Sequence, residues 1–149
     1  MLLETKEDTS VMAFIEDLFS DYTFVNIVSE FPDSTLDIPT VAVSIGKATI
    51  EQFELGNRDG RRVRQYHIDV FTSSMVQRNE FAYLVLDALK NGIIVYNYNE
   101  GFPPDVTPSV KEHLQVVSRH FIPVKIQPEL VEKLYYRATV SFVATNDRT

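Results

Sequence analysis

Apolar residues Val11, Phe14, Ile15, Leu18 and Phe19 recur at helical spacing and predict a first helix over Thr9–Phe19. Asp8 or Thr9 is placed to cap its exposed amides. Tyr22–Ser29 reads as a strand stopped by Phe31-Pro32-Asp33, and Asp33–Pro39 as a turn-rich connection. From Thr40 the alternation Val41, Val43, Ile45 predicts a buried strand closed by Gly46-Lys47. Ala48–Leu55 and Val63–Thr72 read as two further strands facing each other across Gly56-Asn57-Arg58-Asp59-Gly60. The Gly-Asn and Asp-Gly pairs there supply the positive φ angles that a hairpin needs. In the second strand Tyr66, Ile68 and Val70 fall on one face, and His67, Asp69 and Phe71 on the other.

A second helix is predicted over Met75–Asn91. Ser74 and Gln77 have the spacing of a capping box. Phe81, Leu84, Val85, Ala88 and Leu89 form one apolar stripe, and Asn91-Gly92 stops the helix with a left-handed residue. Strand Ile93–Tyr98 follows. Asn97–Pro108 carries Pro103, Pro104 and Pro108 among polar residues and reads as a long ordered loop, since proline removes backbone donors and fixes φ. Two last strands, His113–Val124 and Leu134–Thr145, are joined by a connector containing Pro128, and Asn146–Thr149 reads as a frayed end. This order predicts an α+β fold. Two main helices pack on one face of a mainly antiparallel sheet, from which a β-hairpin projects over about residues 48–72.

Charge divides the chain. Residues 1–57 carry Lys6 and Lys47 against eleven acids, whereas residues 58–149 carry twelve basic residues against ten acids, for a net −7. Four of those basic residues, Arg58, Arg61, Arg62 and Arg64, cluster at the hairpin. Arginine's planar fork suits bidentate pairing with phosphate or carboxylate. An acidic neighbouring subunit is the expected partner over DNA, because the first part of the chain, with Glu16, Asp17, Asp21, Glu30, Asp33 and Asp37, supplies the complement. The plainer reading is a solvated hairpin tip whose charge keeps the strand edge soluble.

A length of 149 residues suits one domain, residues 1–149, with a core of its own. No apolar stretch is long enough to cross a membrane as a helix, and the start of the chain lacks the pattern of a signal peptide, so synthesis in the cytoplasm is expected. The absence of cysteine excludes disulfides, thiolate metal sites and a thiol nucleophile.

Candidate chemistry is sparse. His67 and Asp69 share a strand face and, with Glu100, are the residues a metal-dependent or hydrolytic enzyme would use, but their spacing matches no ligand motif. There is no Gly-x-Ser-x-Gly elbow, P-loop or Gly-x-Gly-x-x-Gly. The expectation is a non-enzymatic protein with no cofactor, no metal and no catalytic residues. The segment Tyr96-Asn97-Tyr98-Asn99-Glu100-Gly101-Phe102-Pro103-Pro104 instead has the aromatic and proline composition of a protein interface, or of a loop folded over its own core by Phe102. The candidate subunit-interface residues are therefore Arg58, Arg61, Arg62, Arg64, Tyr96, Tyr98 and Phe102.

The pattern resembles the tail-terminator (tail-completion) proteins of tailed bacteriophages, which belong with the head–tail junction and neck proteins. The matching pieces are Asp37-Ile38-Pro39-Thr40-Val41-Ala42-Val43, the hairpin to Tyr66-His67-Ile68-Asp69-Val70-Phe71, and Arg78-Asn79-Glu80-Phe81-Ala82-Tyr83 opening the second helix. The likeness spans most of the chain and rests on element order and composition. It implies a virion structural subunit that forms a homo-oligomeric ring, usually hexameric, which ends the tail tube and joins tail to head. The implied partners are the tail tube and the head-completion or neck proteins, with DNA passing through the lumen without sequence-specific binding and no membrane involved. A neck or adaptor subunit of the same junction, and a nucleic-acid-binding module using the Arg58–Arg64 hairpin, remain the alternatives.

Overall fold

The computed structural model describes residues 1–29, 38–51, 61–124 and 136–147. In chain order the elements are α1 (Leu3–Leu18), β1 (Asn26–Ser29), β2 (Thr40–Glu51), β3 (Arg61–Thr72), α2 (Met75–Ala88), β4 (Ile93–Tyr96), β5 (Val110–Val124) and β6 (Tyr136–Asp147). Short 3-10 turns at Leu89–Asn91 and Tyr98–Glu100 flank β4. The strands form one six-stranded sheet in the order β1-β2-β3-β6-β5-β4. Among the described strands only the β1–β2 pair is parallel, so the architecture is the expected α+β one.

One face of the sheet carries the core. Val41 and Val43 of β2, Tyr66, Ile68 and Val70 of β3, and Ala138, Val140, Phe142 and Ala144 of β6 join Val11, Ile15 and Phe19 of α1 and Phe81, Ala82 and Val85 of α2 in one apolar cluster. The alternation that predicts Tyr66, Ile68 and Val70 on one face is thus what gives the sheet its buried side. Tyr66 stacks on Phe142 across the β3–β6 pair, with ring centroids 5.4 Å apart. The opposite face is not bare. Phe71 is fully buried, and the Arg137 guanidinium lies over its ring at 5.4 Å.

The sheet curls because β5 changes partner along its length. Val110–Leu114 pair with β4, whereas Gln115–Val124 pair with β6. Register shifts at Val95/Tyr96 and Val116/Ser118 accompany the hand-over, and such bulges increase local twist. β4 thereby comes against α1, where the Tyr96 amide donates to Ser10 Oγ at 3.1 Å.

Several boundaries differ from the sequence pattern, each for a local reason. α1 begins at Leu3 rather than Thr9 and has no side-chain cap. Leu2 holds the N-cap position, and Asp8 turns instead to Arg64 and Tyr66. Tyr22–Val25 is not strand. The Tyr22 and Val25 amides donate to Phe19 and Tyr22 carbonyls, and the Tyr22 ring packs edge-on against Phe19 and Phe81. Gly46-Lys47 does not close a strand. It is a bulge within one long β2, where Ile45 pairs with Tyr66 and Ala48 with Arg64.

β4 ends at Tyr96, and Tyr98–Glu100 is a 3-10 turn. β5 starts at Val110, three residues ahead of the expected His113, and β6 runs on to Asp147, so Asn146 and Asp147 are strand rather than frayed end. Of the expected capping box the Ser74 half is present, with the Gln77 amide donating to Ser74 Oγ at 3.2 Å, and Gly92 takes φ +76° just past the helix end. The Asp33–Asp37 part of the first connection, the hairpin tip with Arg58, and the Pro128 connector lie outside the described residues.

Candidate subunit interface

The arginine hairpin and α1 meet inside the molecule. Extending the β3 alternation back from Tyr66 places Arg64 and Arg62 on the same, core-bearing face, and both side chains are buried. α1 supplies the counter-charges. Leu3, Glu7, Ser10, Val11 and Ile15 form its buried stripe, so a carboxylate occupies a core-facing position of the helix. Arg62 Nη2 lies 2.9 Å from Glu7 Oε1 and 2.8 Å from Glu4 Oε1. Arg64 Nη1 lies 3.0 Å from the same Glu7 oxygen, and its Nη2 lies 2.5 Å from Asp8 Oδ1. Asp8 also accepts the Tyr66 hydroxyl at 2.8 Å, and the Arg64 guanidinium sits over the Tyr66 ring at 5.4 Å.

Burial pushes the Glu7 carboxyl above the ordinary glutamate range, against the pull of Arg62 and Arg64. Burial likewise lifts the Tyr66 phenol well above its ordinary range. Glu7 Oε2 and the Nε atoms of Arg62 and Arg64 are buried without a hydrogen-bond partner, so the cluster is tightly paired but not fully satisfied.

This placement corrects the expectation for Arg62 and Arg64. Their acidic complement is α1 of the same chain, at Glu4, Glu7 and Asp8, and their side chains are not presented to a neighbour. Over its described length the hairpin is also flanked on the β3 side, because β6 pairs with β3 from Thr72 back to Arg61. The Arg61 backbone belongs to β3, while its side chain and all of Arg58 lie outside the described residues. Glu16, Asp17 and Asp21 are exposed, and Glu30, Asp33 and Asp37 lie outside the described residues. Glu7 carries a recognisable sequence signal. It lies four residues before Val11 on the helical stripe, but only if the helix is extended toward Leu3.

The rings of the aromatic segment lie together, in two roles. Tyr98 is buried and Tyr96 half-buried, with rings edge-on at 6.2 Å. Phe102 is 51% exposed and stacks on Tyr98 at 5.2 Å. The loop is pinned by Glu100, which accepts the Ser109 amide at 2.8 Å and the Ser109 hydroxyl at 2.7 Å. These bonds hold the Glu100 carboxyl below its ordinary range. The Asn97 amide donates to the Ser109 carbonyl at 2.8 Å, and the Pro103–Pro104 peptide is cis. Between this loop, β4 and α1 lies a cleft of about 510 Å³, walled by Phe14, Tyr96, Tyr98, Pro103 and Pro108 with Asp17 at one side.

The enzyme candidates are not assembled into one centre. His67 Nδ1 lies 2.7 Å from Ser141 Oγ across the β3–β6 pair. Asp69 accepts from Arg137 at 3.0 Å and from Thr139 at 2.6 Å, and Glu100 is engaged by Ser109. A working serine–histidine pair needs a third group orienting the imidazole and donors for an oxyanion. Here the acid on the same face is turned to Arg137. Among the described residues no three histidine, aspartate or glutamate side chains gather as a metal site, and no described helix is long and apolar enough to cross a membrane.

Fold and surfaces together define a class: an α+β domain with a buried inter-element ion cluster and an ordered aromatic–proline cleft. No protein-family model matches the chain, and no curated protein is significantly similar to it.

Proposed function

We propose that this chain is a non-enzymatic structural subunit of a virion, closing into a ring at the head–tail junction, where it ends the tail tube and joins it to the head. The observation that carries the proposal is the element order of the fold: helix, strand, the Ile38-Pro39 entry into a long hairpin, a central helix, then closing strands. This is the order on which the resemblance to tail terminators rests. The ordered cleft and the exposed Phe102 supply a preformed surface of the kind that lowers the entropic cost of docking.

A neck or adaptor subunit of the same junction is the second reading, favoured by the proline-rich loop, which adds a rigid docking surface beside α1. Nucleic-acid binding through the hairpin is disfavoured by Arg62 and Arg64, whose guanidinium groups are held by Glu4, Glu7 and Asp8.

Light scattering of the purified chain across a concentration series tests the reading. It expects a discrete species of several 17.1 kDa subunits, six for a hexamer. An open-ended aggregate with no preferred size would count against ring closure.

A further inference from the structure

Among the described residues, part of β5 forms a basic rim. Among the described residues its segment Gln115–Val124 pairs with β6 on one side and with no strand on the other, since β4 begins, at Ile93, opposite Leu114. Residues Val117–His120, Ile122 and Pro123 are exposed, with Val117 at 53% and Ile122 at 51%. The stretch includes Arg119 and His120, and no acidic residue occurs from His113 to Val124. An exposed strand that is both apolar and basic is suited to an acidic, apolar-walled partner.

The same chain carries such a surface. Glu16, Asp17 and Asp21 are exposed at the C-terminal end of α1, whose last turn has no basic residue. Acids there oppose the negative end of the helix dipole, and a cation brought against them relieves that repulsion. Asp17 flanks the cleft walled by Phe14, Tyr96 and Tyr98, so charge and apolar surface are contiguous.

One copy does not bring the two surfaces together, because α2 lies between them. Phe81 on one flank of α2 packs against Phe19 at the end of α1 at 5.3 Å, and Tyr83 on the other flank packs against Phe121 of β5 at 5.3 Å. Two complementary patches on opposite sides of a subunit make a heterologous, head-to-tail contact.

We propose that the β5 rim, Val117–Ile122, of one copy docks on the cleft at the C-terminal end of α1 of the next. Arg119 meets Asp17 and Glu16, and the apolar rim residues cover the aromatic wall. The proposal rests on the ring reading and names the surfaces that the ring would use.

Sedimentation velocity on the purified full chain tests it with Asp17→Arg and Arg119→Asp. Both side chains are exposed, and circular dichroism verifies the fold of each variant. Each reversal alone is expected to weaken self-association by at least about tenfold, since it sets like charges against each other. The chain carrying both reversals, and an equal mixture of the two single variants, are expected to recover it, because the swapped charges are again opposite. Rings that survive both single reversals overturn this contact and leave the ring reading standing. A two-fold dimer lost with Arg119→Asp but not with Asp17→Arg overturns both. A wild-type chain that stays monomeric at its highest soluble concentration overturns the contact as well.

Discussion

Arg64 of β3 and Glu7 of α1, fifty-seven residues apart in sequence, form a buried ion pair with Nη1 and Oε1 3.0 Å apart. The pair joins the first helix to a central strand at a point where apolar side chains would otherwise meet. Neither residue can be removed without leaving a charge in a poorly solvated place. Together with Arg62, Glu4, Asp8 and Tyr66, it fixes where α1 lies on the sheet. That in turn positions the aromatic cleft between α1 and β4.

Removing one partner is the direct test of that role. Glu7→Leu leaves both guanidinium groups short of their shared carboxylate and should lower the unfolding free energy by about 3–5 kcal/mol in urea titrations. Asp87→Ala removes an exposed partner of Lys90, 3.2 Å away, and should change it by no more than about 0.5 kcal/mol.

The pH dependence follows from the same carboxylate. Burial raises Glu7 above the ordinary glutamate value of 4.5 in the folded chain. Between that value and the raised one, the folded state therefore binds more protons than the unfolded state. The Glu7 contribution is then most favourable below the unfolded value, falls as pH rises through the window, and is level above it. The stability difference between wild type and Glu7→Gln, measured in urea at a series of pH values, should decrease with rising pH across that window. An increase would mean that Arg62 and Arg64 outweigh burial.

The hinge between α2 and β4 gives a backbone prediction. Gly92 has φ +76°, and a Cβ there would stand 2.6 Å from the Leu114 carbonyl oxygen of β5. Gly92→Ala should therefore cost about 1–3 kcal/mol or more in stability and lower the thermal midpoint. Gly46→Ala should cost less. The nearest atom to its Cβ is His67 Nε2 at 2.9 Å, a side-chain atom that can move, although the Gln65 carbonyl at 3.1 Å limits the room.

Much of this fold was legible in local pattern. The α2 stripe, its Ser74 cap and the Gly92 stop are short-range signals, and the structure carries all three. The same alternation that placed Tyr66, Ile68 and Val70 in the core also places Arg64 and Arg62 there, two and four residues earlier. Charge hid it, because a run of arginines beside turn residues reads as a solvated tip. Glu7 was hidden in the same way, as an acid on an apolar helical stripe. Gly46-Lys47 carries the composition of a strand end and serves instead as a bulge, a difference set by the pairing of β2 with β3 on either side of it, Ile45 with Tyr66 and Ala48 with Arg64, rather than by local preference. The β3–β6 pairing that makes the hairpin part of a wider sheet is a non-local register, which no local pattern encodes. Of the candidate interface residues, Tyr96, Tyr98 and Phe102 are brought together, whereas Arg62 and Arg64 turned inward.

The proposed function depends on copies of this chain closing into a ring. Negative-stain electron microscopy of the purified protein, concentrated and imaged across a dilution series, tests it most directly. Class averages with a central opening and rotational symmetry are expected, six-fold for a hexamer. Particles no larger than a single chain or a two-fold dimer at every concentration would contradict it.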